Sequence, residues 1–177
     1  MLFTAKRKSY PELFEFLAKE LAPSVNKLID QSGANASDCV MTWIPRKPAA
    51  VRKHGHDQAK MICLALAEEM GCQVAVPLLV RRGGAEQKRL DKKSRNKNTD
   101  ESVFLCNKLM STDLCKLNGI TDASSVRELV EGKTVIVVDD IITTGASMRR
   151  AILLLEPQMP KSVLAVCVAR SEIKSKK

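Results

Sequence analysis

Residues 135–147 read VIVVDDIITTGAS. Four β-branched residues in unbroken succession are what a strand covered on both faces requires, because a strand with one wet face alternates apolar with polar. The run then meets two adjacent carboxylates, Asp139 and Asp140, and passes through Ile141 and Ile142. It turns at Thr143, Thr144 and Gly145 before Ala146 and Ser147 open a helical pattern. A buried strand feeding a tight turn and a helix is the repeating unit of an α/β sheet. The turn leads into a helix N-terminus, where unpaired N–H groups and the helix dipole receive an anion. Thr143, Thr144 and Ser147 add hydroxyl donors, and Gly145 lets the backbone approach closely. A phosphate monoester suits the turn. Two carboxylates one step before it suit a polyol beside that phosphate, or a magnesium ion held directly or through water. Ribose 5-phosphate has both features. A lone Asp-Asp pair is more often a strand end and helix cap; the whole run reverses those odds. Neither a Walker A loop nor a dinucleotide fingerprint is present.

On both sides of this run strands and helices alternate. SYPELFEFLAKEL, with a capping box at Ser9 and Glu12, predicts a short amphipathic helix with Leu13, Phe14, Leu17 and Leu21 on one face. CVMTWI (39–44) predicts a strand, and DQAKMICLALAEEMG (57–71) a helix with Met61, Leu64 and Ala65 on its stripe and Gly71 as its stop. VAVPLLV (74–80) reads as a second strand weakened by Pro77. SVFLC (102–106) reads as another strand, and Ser125 with Glu128 caps a short helix. ASMRRAILLLE (146–156) is a helix stopped by Pro157, and SVLAVCVA (162–169) a further buried strand.

This order predicts an α/β fold with a doubly wound, mostly parallel sheet in a single domain. It divides into an N-terminal helical segment (1–35), a core (36–170) and a basic tail (171–177). Ligands bind beyond the carboxyl ends of such strands. Three connections meet there: 45–56, 81–101 and 141–145. The first carries Arg46, Lys47, Arg52 and Lys53. The second contains 81–97, with eight Lys/Arg against two acids and little to bury, which predicts a long mobile basic loop.

The 177 residues carry a net charge of +9, which favours polyanionic partners: phosphorylated small molecules, nucleic acid or an acidic membrane face. No long apolar span or secretory leader is visible, so the chain reads as soluble and cytoplasmic with no membrane role. The six cysteines form no C-x-x-C, which argues against a structural zinc site; Cys39 and Cys167 read as buried free thiols. His54 and His56 read as loop residues rather than metal ligands.

VIVVDDIITTGAS closely resembles the phosphoribosyl pyrophosphate (PRPP) motif of type I phosphoribosyltransferases. WIPRKPAAVRKHGHDQA, then Gln87, Leu90, Arg95 and Asn98, and finally VLAVCVAR, resemble the ComF family of phosphoribosyltransferase-like proteins linked to bacterial competence. The resemblance runs from about Leu2 to Arg170. Where the ComF pattern reads R-G-F-N-Q this chain has His54, Gly55, His56, Asp57 and Gln58, so it departs at His54, His56 and Asp57, and the N-terminal four-cysteine zinc ribbon common in that family is not in this sequence.

The resemblance implies a type I phosphoribosyltransferase fold and Mg²⁺-dependent displacement of pyrophosphate at ribose C1, with the ribose 5-phosphate passed to an acceptor it does not name. By analogy Asp139 and Asp140 engage the ribose hydroxyls and the metal's water shell, and Thr143, Thr144, Gly145, Ala146 and Ser147 cradle the 5-phosphate. Arg46, Lys47 and Arg95 meet the pyrophosphate, and Lys88 and Arg89, counted with the two aspartates as catalytic, close over the site on the mobile basic loop. In 6-oxopurine transferases an aspartate occupies the position of Thr143; a threonine cannot serve as that base near neutral pH, which argues against hypoxanthine–guanine transfer. PRPP is the implied ligand. A PRPP sensor without turnover, and a DNA-uptake factor holding single-stranded DNA by phosphate contacts, are the competing readings. The 3% aromatic content disfavours a base-stacking platform. A homodimer is the oligomer open to the chain.

Overall fold

Proline at the first position, where no intrahelical N–H is needed, opens α1 (Pro11–Gln31) in a computed structural model that describes residues 11–72, 74–82, 102–106 and 125–171. Its buried stripe is Phe14, Ala18, Ala22, Val25 and Ile29. The helix is longer than the sequence predicts: Pro23 lies inside it on the exposed side, and Val25 and Ile29 continue the stripe beyond it. An exposed proline leaves the carbonyl four residues earlier to water, so packing on the other face carries the helix through. Ser9 lies outside the described residues.

β1 (Cys39–Trp43) follows and is buried along its whole length. Where the sequence predicts a loop, α2 (Pro48–His54) forms, with proline at its start and Gly55 at φ +80° closing it. Proline just inside a helix and glycine just past it is the pairing that marks so short a helix. α3 (Gln58–Glu69) is capped by Asp57 and ends before Gly71, at φ +67°, as predicted. Its buried face is not the predicted one. Ala59, Ile62, Cys63, Leu66 and Ala67 turn inward, while Met61, Leu64 and Ala65 are only half-buried. In so uniformly apolar a helix the periodicity is shallow, and contact with α1 and the sheet decides the face.

The predicted strand at 74–80 is two strands. β2 (Val74–Ala75) runs parallel to β1, whereas β3 (Leu79–Arg81) pairs antiparallel with β4 (Val103–Leu105). Pro77 is the cause. It has no N–H for the ladder, and the next N–H, on Leu78, goes to the Val76 carbonyl (2.9 Å) and the Thr42 hydroxyl (3.1 Å). The chain leaves the sheet there and begins a separate ribbon.

α4 (Val126–Val130) carries the predicted cap, the Ser125 hydroxyl accepting from the Glu128 N–H. β5 (Thr134–Ile142) leads into α5 (Ala146–Leu155), and β6 (Ser162–Arg170) completes the sheet. The main sheet is parallel, in the order β2-β1-β5-β6. β5 is therefore flanked on both sides, as its unbroken apolar run demands. β6 departs from its prediction as a buried strand: it is at the sheet edge among the described residues, and only Val166 is buried.

Two apolar layers cover the sheet. Met41, Trp43, Ile136 and Val138 pack with α1 and α3, and Val40, Val135 and Val137 with α4, α5 and the β3–β4 ribbon. The register of β1 against β5 enforces this split, pairing Met41 with Ile136 and Val40 with Val135. Continued along β5, the same alternation sends Asp139 toward the α5 face and Asp140 toward the α3 face.

Candidate functional site

At the carboxyl ends of β1 and β5 opens a cleft of about 300 Å³. Asp139, Asp140 and Ser147 line one wall, and Arg46 and Lys47 the wall beyond β1. Asp57, Gln58 and Ala59 bring in the first turn of α3, and Arg81 reaches in from the ribbon. The parallel pairing of β1 and β5 thus gathers segments far apart in sequence.

Both carboxylates are anchored by backbone. Asp139 Oδ1 accepts the Asp140 N–H at 2.9 Å, and Asp140 Oδ1 accepts the Ile141 N–H at 2.8 Å. Burial raises the Asp139 pKa to about 7, reinforced by the charge of Asp140 and a hydrogen bond between the two carboxyl groups. The Asp140 N–H and the Arg81 charge oppose that rise. A pair in which one member resists ionising is a pair that an arriving cation or hydroxyl donor relieves.

The turn after β5 is built as the sequence predicts. Gly145 takes φ +74°, a left-handed conformation that a side chain disfavours. Thr143 and Thr144 are exposed, and the Thr144 hydroxyl accepts from the Ala146 N–H at 3.4 Å. The N-terminus of α5 opens beside Ser147, whose hydroxyl accepts from Arg81 Nη2 at 2.8 Å. Arg81 thus ties the ribbon to the start of α5, with its charge acting on Asp139.

On the opposite wall Arg46 is held rather than loose. Its N–H donates to Asp57 Oδ2 at 2.9 Å, and Nη1 donates to Gln58 Oε1 at 2.9 Å and to the His56 carbonyl at 3.5 Å. Asp57 also takes the Lys60 N–H at 3.5 Å. Its pKa is raised by burial and by the Asp140 charge, against the pull of those N–H groups and the Arg46 charge. His56 lays its ring edge-on against Phe14, at 6.2 Å between centroids.

With this geometry in view, comparison with known families is decisive: the phosphoribosyl transferase domain matches residues 60–177. The chain belongs to the phosphoribosyl transferase domain family. Its α/β architecture and mostly parallel sheet are those of a type I phosphoribosyltransferase fold, and phosphoribosyltransferase is its enzyme class. Among solved structures, a hypoxanthine phosphoribosyltransferase from Staphylococcus aureus is similar at 15% identity and TM-score 0.48, over 99% of this chain and 78% of that one. The protein TT1426 from Thermus thermophilus is similar at 16% identity and TM-score 0.43, over 92% and 84%. Comparison with curated proteins gives no match.

In this phosphoribosyltransferase domain the cleft unites Asp139, Asp140 and Ser147 with Arg46 and Lys47. Thr143, Thr144, Gly145 and Ala146 form the adjoining turn. Arg52 and Lys53 do not line the cleft; they are exposed in the last turn of α2, where positive charge suits the helix dipole. His54 ends α2 instead of lying in a loop. Lys88, Arg89 and Arg95 lie outside the described residues. Asp57, Gln58 and Arg81 are the polar lining residues that sequence reasoning missed. An Asp-Gln pair at a helix start reads only as a cap, and Arg81 is one cation among eight.

No cluster of three metal-ligating side chains occurs among the described residues. The donor set nonetheless fits Mg²⁺, which keeps most of its water and takes one or two carboxylates together with substrate oxygens. Asp139 and Asp140 would hold it, and the proton-favouring strain between them is what a divalent cation removes.

Proposed function

We propose that this domain binds PRPP with Mg²⁺ and transfers its ribose 5-phosphate to an acceptor with release of pyrophosphate. The observation that carries this reading is that one cleft brings the Asp139–Asp140 pair and Ser147 of α5 opposite Arg46 and Lys47. Carboxylates match ribose hydroxyls, a helix start matches the 5-phosphate, and cations match the diphosphate.

In the reaction a nucleophile on the acceptor attacks ribose C1 as the bond from C1 to the diphosphate oxygen breaks. Pyrophosphate leaves with the electron pair, and the acceptor's proton passes to solvent. Asp139 and Asp140 hold the ribose and place negative charge against the oxocarbenium-like ring. The turn at 143–147 fixes the phosphate, while Arg46 and Lys47 hold the departing oxygens. Mg²⁺, when bound, neutralises the leaving group. Thr143 offers no base, so 6-oxopurines are not the favoured acceptors.

The finer assignment, to a ComF-like protein acting in DNA uptake, rests on the resemblance of WIPRKPAAVRKHGHDQA (43–59), Gln87, Leu90, Arg95, Asn98 and VLAVCVAR (163–170), and on the net charge of +9. Contact with single-stranded DNA through its phosphates, and a homodimer, belong to that same assignment.

Titration with PRPP and Mg²⁺, followed by pyrophosphate release over a panel of bases, amines and water, tests the reading. Thr144→Asp puts a negative charge on the turn and should abolish binding of both PRPP and ribose 5-phosphate; unchanged affinity sinks the site. Tight PRPP binding with no release for any acceptor favours a sensor.

A further inference from the structure

Gln58 is 2% exposed, and its two amide atoms have unequal fates. Oε1 accepts from Arg46 Nη1 at 2.9 Å, while Nε2 has no hydrogen-bond partner among the described residues. The Arg46 donor fixes which way the amide faces, because an arginine can only donate. That leaves a buried N–H₂ group whose missing partner must be an acceptor. A buried unpaired donor is unfavourable in the ligand-free protein, so a group that arrives with an oxygen gains by meeting it. Gln58 lines the cleft, on the wall it shares with Arg46 and Lys47. It is also the first residue of the twelve-residue helix α3, whose opening N–H groups lie at the positive end of the dipole.

Fixed amide, guanidinium, ammonium and helix start all present donors, which selects an oxygen-rich anion. The neighbouring Asp57 carboxylate would oppose it, but Asp57 is occupied by the Arg46 and Lys60 N–H groups. The 5-phosphate has its own cradle at the α5 turn. Resting on the PRPP reading above, we propose that Gln58 is a substrate-binding residue whose Nε2 donates to the diphosphate of PRPP, with Arg46 as the positioning residue that orients it.

Two variants test this. Gln58→Glu keeps the oxygen that Arg46 grips and exchanges the donor for a second oxygen; Gln58→Met removes the polar group without adding charge. Calorimetric titration uses three probes, each with Mg²⁺: inorganic pyrophosphate, ribose 5-phosphate and PRPP. Both variants should bind pyrophosphate and PRPP roughly ten- to a hundredfold more weakly, the range for a lost hydrogen bond to a charged group. Ribose 5-phosphate should bind as to wild type. Wild-type pyrophosphate affinity in a folded Gln58→Met protein overturns the proposal, as does a parallel loss of ribose 5-phosphate. Should Gln58→Met fail to fold, the same outcomes in Gln58→Glu decide. Wild-type protein that binds neither ribose 5-phosphate nor PRPP sinks the parent reading instead, and this one with it.

Discussion

Burial at the strand end raises the Asp139 pKa to about 7, the Asp140 carboxyl adds to the rise, and the Asp140 N–H and the Arg81 charge work against it. The sign of its effect on stability follows. Between the ordinary carboxylate range and about pH 7 the folded chain holds a proton that the unfolded chain has lost, so stability falls as pH rises through that window. Above it both states are ionised and the penalty stays constant. The ligand-free protein should therefore melt at a lower temperature at pH 8 than at pH 5, with Asp57, also raised, contributing in the same direction. Asp139→Asn removes the proton exchange while keeping the acceptor for the Asp140 N–H, so melting curves across pH 5 to 8 should flatten. A variant whose melting temperature falls as steeply as wild type would show that Asp139 ionises normally. This carboxylate strain is invisible in the letters D-D, because it comes first from burial and then from the neighbouring Asp140 charge.

Elements differ in how much of themselves they show in sequence. β5 is legible because a strand covered on both faces needs only its own composition to be read, and α4 because its cap lies within four residues. The boundary between β2 and β3 is marked by Pro77, but the antiparallel partner of β3 begins at Val103, and no local pattern declares such a pairing. α1 misleads in the other direction: Pro23 suggests an end, while Val25 and Ile29 keep the stripe and are buried to 1% and 2% exposure. If the second half of α1 belongs to the core, Ile29→Ala should destabilise the domain by about 2–5 kcal/mol, the range for deleting a buried aliphatic side chain. Urea unfolding of the variant against wild type measures it. A loss under about half a kcal/mol, the scatter of surface substitutions, would mean that the helix ends, in energetic terms, at Pro23.

Across the whole molecule the site is a meeting of remote segments, and that explains what the sequence conceals. The Asp-Asp pair and its turn are contiguous, so their chemistry can be read in one stretch. The opposite wall depends on Arg46 reaching Gln58 twelve residues away, and Arg81 reaches Ser147 across sixty-six. Only the parallel pairing of β1 with β5 makes the two walls neighbours, and a ligand that fills the cleft must bridge both halves. PRPP with Mg²⁺ at about a hundred times its dissociation constant should stabilise the folded state by about 2.7 kcal/mol, raising the melting temperature by roughly 5–10 °C in a domain of this size. Amide hydrogen exchange would show where that stabilisation falls. With PRPP, exchange should slow both in residues 45–60, which carry the β1 wall and the start of α3, and in residues 143–150 at the α5 turn. With ribose 5-phosphate, which has no diphosphate to reach across, it should slow only in 143–150. Protection confined to 143–150 under PRPP would mean that the Arg46 wall does not touch the ligand, and the cleft would then be a phosphate site with a cationic neighbour rather than a site built for both ends of one molecule.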